Sequence, residues 1–156
     1  MRVVLQRVTM ASVAVGGREI GRIGSGLLAL VGIGPGDDSA VVEKMAGKVA
    51  ALRIFSDERG HMNRDVQEHG GAVLSVSQFT LYADVRRGRR PGFTEAAAPE
   101  MAKPLWIAFG QALRARGLHV KEGEFGADMA VSLVNDGPVT ILLDSATWGG
   151  GDAGAV

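Results

Sequence analysis

The sequence predicts an α+β fold: a mainly antiparallel, barrel-like β-sheet with two long helices packed on it. Three observations carry this expectation. Short β-branched and apolar runs recur along the chain, separated by turns drawn from its 23 glycines. Two segments, 42–52 and 94–116, space their apolar residues at helical intervals instead. A length of 156 residues fits one domain with a real core.

Taken in order, Arg2 to Val8 is strand-like, with Val4, Gln6 and Val8 at period two, and Ser12 to Val15 continues it up to the Gly16-Gly17 turn. Glu19 to Ile23 pairs back across that turn. Gly26 to Ile33 is almost continuously apolar, as in a strand covered on both faces. The glycine-rich stretch Gly32-Ile33-Gly34-Pro35-Gly36-Asp37-Asp38 has the strand–loop order of a phosphate cradle. Asp37, however, stands where the last glycine of a dinucleotide fingerprint belongs, and two aspartates repel phosphate. Asp38 or Ser39 fits a helix N-cap better. Val42, Met45, Ala46, Val49 and Leu52 then form one helical face, with Glu43, Lys44 and Lys48 outside.

Arg53 to Phe55 reads as a short strand, Asp57 to Asn63 and Asp65 to Gly71 as polar loops, and Ala72 to Leu81 as a strong strand. Thr94 to Arg116 is the second helix, with Pro99 in its first turn, Leu105, Trp106, Phe109 and Leu113 as its stripe, and Gly117 as its stop. Pro104 removes one helical hydrogen bond and is expected to kink or restart the helix. His119 to Phe125, Met129 to Val134 and Val139 to Leu143 complete the sheet. The domain spans 1–145, and 146–156 reads as a flexible glycine-rich tail.

Lys+Arg and Asp+Glu both number 17, so no overall charge draws the chain to nucleic acid or membrane, and any RNA affinity must be local. The absence of cysteine excludes disulfides, thiolate metal sites and cysteine nucleophiles, and fits a cytoplasmic protein. No apolar run approaches the roughly 20 residues of a membrane span. The start Met1 to Arg7 has its charges too close together for the h-region expected of a signal peptide. Three scattered histidines form no metal-ligand pattern, and neither a metal nor a cofactor is expected.

Three stretches could do chemistry. Ser77, Gln78, Phe79 and Thr80 end an otherwise apolar strand, where alternation puts Gln78 and Thr80 on one face and Ser77 and Phe79 on the other. Burying such polar groups unpaired costs about 1–3 kcal/mol each. They either bond backbone at a sheet edge or converge on a substrate carbonyl. Ser77 lacks a glycine-framed elbow, and His61 and His69 lie in polar loops, so a serine triad fits poorly. Asn135-Asp136-Gly137-Pro138-Val139-Thr140 contains turn residues between two apolar runs and reads first as a plain turn with a trans bond, although Gly-Pro directly against a β-branched run is unusual. Arg86, Arg87, Arg89 and Arg90 surround Gly88, either as a solvated loop or as a grip on phosphates, with Phe93 the nearby aromatic.

In this order, Ser77-Gln78-Phe79-Thr80-Leu81-Tyr82-Ala83 and Asn135-Asp136-Gly137-Pro138-Val139-Thr140 resemble the two signature motifs of the D-aminoacyl-tRNA deacylase family. Val4-Leu5-Gln6-Arg7-Val8, Leu52-Arg53-Ile54-Phe55, Gly88-Arg89-Arg90-Pro91 and Phe125-Gly126-Ala127-Asp128-Met129 extend the resemblance over the whole domain. It implies hydrolysis of the ester that joins a D-amino acid to the 3′ end of tRNA. It further implies a homodimer with active sites at the subunit interface.

The resemblance also assigns roles. Gly137-Pro138 is a cis pair that enters the partner's site and rejects L-aminoacyl groups, with Asn135 supporting the motif and Arg7 bracing the two carbonyls. Ser77, Gln78, Phe79 and Thr80 form the substrate-carbonyl end, while Phe125 and Met129 line an adenine pocket. Arg86, Arg87, Arg89 and Arg90 meet the tRNA. Water attacks with help from the terminal 2′-hydroxyl, and glycyl-tRNA, having no side chain to reject, is also cleaved. Three departures stand out: Gly92 replaces a usual serine, Pro104 interrupts a helix, and the tail after Ser145 matches nothing in the family. The competing readings are a passive RNA-binding module, a general esterase or peptidase, and a related deacylase with a trans Gly-Pro and different chiral tolerance.

Overall fold

The structure, a computed structural model, describes residues 1–148. In chain order its elements are β1 (Arg2–Val15), β2 (Arg18–Ile23), β3 (Gly26–Gly32), α1 (Ser39–Ala51), β4 (Phe55–Ser56), β5 (Met62–Arg64), β6 (Ala72–Ser77), a 3-10 turn (Phe79–Tyr82), α2 (Pro99–Ala115), β7 (His119–Glu122), β8 (Met129–Asp144) and a second 3-10 turn (Ser145–Trp148). β1 is the organising strand. Its first half pairs with β3 and its second half with β2, while β8 pairs with it from Arg2↔Asp144 to Val15↔Met129, all antiparallel. β6 joins β3 in parallel and β7 joins β6 in parallel, so the sheet is mixed, with its antiparallel part centred on β1. The sheet curls until β2 meets β7: a Cβ on Gly21 would stand 3.3 Å from the Glu122 carbonyl oxygen. The α+β, barrel-like architecture with two packed helices is therefore the observed one.

Strand alternation divides the apolar residues between two cores. Val3, Leu5, Ala29 and Val31 face the helices, where they meet Val42, Met45 and Val49 of α1 and Trp106, Phe109 and Leu113 of α2. Val8, Val13, Ile23, Leu28, Leu74 and Val76 fill the inside of the curl. Asp38 caps α1, its side chain accepting from the Val41 N–H at 2.9 Å, as the sequence led us to expect. Leu52 only half-buries, because it is already the C-cap residue.

Several expectations need correction. β6 stops at Ser77. The Gln78 N–H still bonds the Val31 carbonyl at 2.8 Å, but β3 ends one residue later and offers no further ladder, so the chain coils into the Phe79–Tyr82 turn. The face assignment by alternation consequently fails for Phe79 and Thr80. Met129 to Val134 and Val139 to Leu143 are not a hairpin but one strand, β8, with both halves on the same edge of β1. β7 ends at Glu122, before Phe125. α2 begins at Pro99 rather than Thr94, because Thr94 and Glu95 lie in a turn closed by the Ala96 N–H on the Phe93 carbonyl at 3.1 Å, and the Ala97 N–H is then taken by the Ile33 carbonyl at 2.9 Å. It runs continuously through Pro104, which is exposed together with Glu100, so water can satisfy the carbonyl left without its usual partner. Past Ser145 the ordered chain continues: Trp148 packs on the helical core, with the Lys44 and Lys48 ammonium groups 5.5 and 5.8 Å from its ring centroid. The rest of the expected tail, 149–156, lies outside the described residues.

The Gly34–Asp38 loop has a different use from phosphate binding. Asp37 is buried and accepts from the Gly34 N–H at 2.6 Å and from the α-ammonium group of Met1, which also donates to Ser145 Oγ at 2.6 Å. One buried ion pair thus joins the start of β1, the β3–α1 loop and the end of β8. Removing one member of such a pair leaves the other charge without compensation. Asp37→Ala is expected to lower unfolding stability by about 3–5 kcal/mol, read as a fall in the urea midpoint at unchanged slope.

Candidate active site

A cavity of about 640 Å³ opens beyond the C-terminal ends of β3 and β6. Its floor includes Val31 and Val76. Ser77, Gln78 and Phe79 form one wall, and Phe125 and Met129 also line it. Thr80 stands exposed beside the first group, its hydroxyl accepting from the Gln78 side-chain amide. A concave, mostly apolar site with a few polar groups gathered in one place suits a ligand with a flat apolar body and one polar reacting group.

The Phe79–Tyr82 turn is held from below. Tyr82 is buried, and the Arg2 guanidinium lies 4.5 Å from its ring centroid. Arg2 also donates to the Leu81 carbonyl at 2.9 Å and to Asp144 Oδ2 at 2.9 Å. Burial, reinforced by the Asp37 charge, pushes the Tyr82 phenol well above its ordinary range, so it stays neutral. Gly34 has no room for a side chain, since a Cβ there would stand 2.8 Å from the Tyr82 hydroxyl. The first bond within the turn is donated by the Leu81 N–H to the Gln78 carbonyl at 3.3 Å. The N–H groups of Phe79 and Thr80 precede it and, as at any helical start, have no acceptor within the turn. They can serve an oxyanion.

None of the three histidines lines the cavity. The Ser–His contact in the structure lies elsewhere: His69 Nε2 is 2.8 Å from Ser25 Oγ and its ring stacks on Phe55 at 4.4 Å. Ser77 therefore has no imidazole base lining the cavity with it.

The second motif has its own geometry. β1 and β8 pair at Val8↔Asn135 and again at Gln6↔Thr140, so Asp136 to Val139 form a four-residue excursion opposite Arg7 alone. Asn135 clips its base: its Oδ1 accepts from the Val139 N–H at 2.7 Å, and its Nδ2 donates to the Val139 carbonyl and to Thr140 Oγ1, both at 3.2 Å. Arg7, expected to brace the Gly-Pro carbonyls, instead donates to the carbonyls of Asp136 at 2.9 Å and Ile54 at 2.5 Å. Its strand position opposite the first residue of the excursion brings the guanidinium to the Asp136 peptide, one step before the pair. Gly137 has φ +147, and a Cβ there would stand 2.8 Å from the Val139 nitrogen, so only glycine fits. The Gly137–Pro138 bond is cis. Both residues are exposed, and neither lines the cavity of its own chain. The structure thus gathers Ser77, Gln78, Phe79, Phe125 and Met129 in one place and leaves Arg7, Asn135, Gly137 and Pro138 in another.

The arginine loop is also more divided than the sequence suggests. Asp84 and Gly92 exchange backbone hydrogen bonds at 2.7 and 2.9 Å and close the loop. Arg86 donates to both Asp84 carboxylate oxygens at 2.8 Å and lies 3.6 Å from Glu95. The side-chain bonds from Arg86 hold the Asp84 carboxyl well below its ordinary range and push the guanidinium up in turn. Arg86 is accordingly a loop brace. Arg87, Arg89 and Arg90 are exposed and, among the described residues, have no carboxylate within ion-pair distance. Sequence reasoning missed Phe93 and Asp128 as cavity-lining residues. The small run Ala96-Ala97-Ala98, which leaves room beside them, was the available signal.

Comparison with known proteins places this geometry. The family described as D-Tyr-tRNA(Tyr) deacylase matches residues 4–144. A D-aminoacyl-tRNA deacylase of Symbiobacterium thermophilum is 60% identical over 145 residues, covering 93% of this chain and 96% of its own length. One of Paracoccus denitrificans is 61% identical over 146 residues, covering 94% and 98%. A solved structure described as c-Myc DNA Unwinding Element Binding Protein aligns with a TM-score of 0.87 at 44% identity, over 93% of this chain and 99% of that one. The family match spans the cavity wall at Ser77–Phe79 and the excursion at Asp136–Val139 alike, and the chain belongs to the D-Tyr-tRNA(Tyr) deacylase family.

Proposed function

We propose that this chain hydrolyses the ester between a D-amino acid and the 3′ end of tRNA, and that it works as a homodimer in which each cavity is completed by the partner's Gly137-Pro138. The observation that carries this reading is the separation of the two motifs within one chain: a cavity with polar groups at Ser77 to Thr80, and an exposed, clipped excursion that does not reach it. A second copy supplies what one chain leaves apart. The sheet offers a surface for it, since Leu142, Val4 and Leu30 form one apolar row across β8, β1 and β3, and Leu142 is 64% exposed.

The terminal adenine lies between Phe125 and Met129, and the ester carbonyl points to the Ser77–Thr80 end. A water oxygen attacks the carbonyl carbon, and the displaced electron pair collects on the carbonyl oxygen, where the N–H groups of Phe79 and Thr80 stabilise it. Collapse breaks the bond to the ribose 3′-oxygen. The proton lost by water passes through the 2′-hydroxyl to that oxygen, and the D-amino acid and tRNA leave. Thr80 has no base with which to act as a nucleophile. The partner's Gly137 and Pro138 carbonyl oxygens occupy the direction in which an L side chain would point. Rejection by clash ignores which side chain a D-residue carries, and it cannot act on glycine. Arg87, Arg89 and Arg90 contact tRNA phosphates. Among the described residues no helix is long and apolar enough to cross a membrane; a tRNA ester as substrate supports a cytoplasmic site of action.

Purified protein is expected to release D-tyrosine rapidly from D-tyrosyl-tRNA, to cleave glycyl-tRNA measurably at high enzyme concentration, and to spare L-tyrosyl-tRNA. Equal loss of the D and L esters would indicate a general esterase, and binding without turnover would indicate a passive RNA-binding module. Thr80→Ala should retain activity within about ten-fold of the unaltered chain, because no covalent step passes through its hydroxyl; a loss of several orders of magnitude would restore the nucleophile model.

A further inference from the structure

The mouth of the cavity carries two exposed aromatic rings that the proposed chemistry leaves without a partner. Phe79 is 57% exposed and Phe93 37% exposed, yet both line the same cavity. Their centroids are 4.9 Å apart with an interplanar angle of 69°, so they meet edge to face and brace one another without covering both ring faces. In sequence they are separated by the arginine loop, and the fold closes that loop between them through the Asp84–Gly92 pairing. Arg86, bound to Asp84 and near Glu95, ties the loop to the segment that carries Phe93. The Ala96 N–H on the Phe93 carbonyl at 3.1 Å closes a turn within that segment, and the Ala97 N–H on the Ile33 carbonyl at 2.9 Å ties it to the residue that follows β3. The result is a braced aromatic platform directly beside the exposed Arg87, Arg89 and Arg90.

Exposed aromatics interleaved with arginines form the platform on which single-stranded nucleic acid stacks its bases while the cations follow the phosphates. We propose that Phe93, braced by Phe79, stacks the base of the nucleotide preceding the terminal adenosine, and that the arginines beside it take the phosphates on either side. This rests on the aminoacyl-tRNA reading above and extends it by one nucleotide. The adenosine occupies the cavity between Phe125 and Met129, and the chain of the RNA must leave past the mouth, where the platform and the cations stand. Because every base has a stacking face, the platform recognises single-stranded RNA without regard to the rest of the tRNA.

The test compares two esters in the full-length protein: D-tyrosyl-tRNA, which has the preceding nucleotide, and 3′-O-D-tyrosyl-adenosine, which lacks it. Phe93→Ala is expected to lower kcat/KM on the tRNA ester by about ten-fold more than on the adenosine ester, with the excess loss mainly in KM, because the adenosine ester reports whatever the ring contributes as part of the cavity lining. Phe93→Trp should keep the tRNA value, because a larger ring still stacks. Equal losses on both esters would overturn the proposal and make Phe93 a wall of the adenosine cavity. An unchanged tRNA value in Phe93→Ala would overturn it as well. If the unaltered chain cleaved neither ester, the functional reading itself would fail, an outcome distinct from both.

Discussion

The pairing of β1 with β8 is the constraint on which the rest of this structure depends. β1 engages β8 along one edge and divides its other edge between β3 and β2. Every ladder bond on β1 is thereby fixed, and its register can slip nowhere without turning apolar residues to the wrong face. The buried Met1–Asp37–Ser145 contact pins one end of the β1–β8 ribbon, and the Arg2–Asp144 pair repeats the fastening one residue in. Between the paired ends of the ribbon, β8 sets the four residues 136–139 opposite Arg7 alone, and they leave the sheet there. The excursion is a consequence of register, and Asn135 and Arg7 give it its shape.

The same fastening sets the cavity. Arg2 reaches from β1 to the Leu81 carbonyl and over Tyr82, so the turn that presents Phe79 and Thr80 is anchored to the organising strand. Both motifs are held by arginines of β1, Arg2 for one and Arg7 for the other, yet they face different places. Under the proposed function the two motifs are halves of one site, and a two-fold pairing of two copies that brings one excursion to a cavity brings the other as well. Backbone carbonyls on such a braced excursion form a rigid surface, which a filter based on clash requires.

Much of this was legible in the residues because local and global preferences agree. The β1, β2 and β3 runs, the Asp38 cap and the buried stripe of α1 follow from periodicity and capping alone. What was not legible depends on where a partner ends. Apolar residues continue past Ser77, and nothing local says that β3 stops at Gly32 and leaves Phe79 to coil. Asn, Asp, Gly and Pro look like a hairpin turn, and only the unbroken β1 opposite makes β8 one strand. Arg86 looks equivalent to its neighbours until Asp84 and Glu95 are brought to it. The site residues themselves came from resemblance to a family, since polar groups at a strand end fit a sheet edge equally well; Phe93 and Asp128 entered the site only through the fold.

The most direct measurement of a site shared between two copies is a mixed dimer. One chain would carry Ser77→Ala and Gln78→Ala, damaging its cavity but keeping its excursion. The other would carry Arg7→Ala and Asn135→Ala, unclipping its excursion but keeping its cavity. The second chain alone should cleave D- and L-tyrosyl-tRNA with reduced discrimination. Co-expressed and isolated as a heterodimer, the pair should regain preference for the D ester, because the intact excursion of the first chain enters the intact cavity of the second. A heterodimer that discriminates no better than the second chain alone would contradict the account.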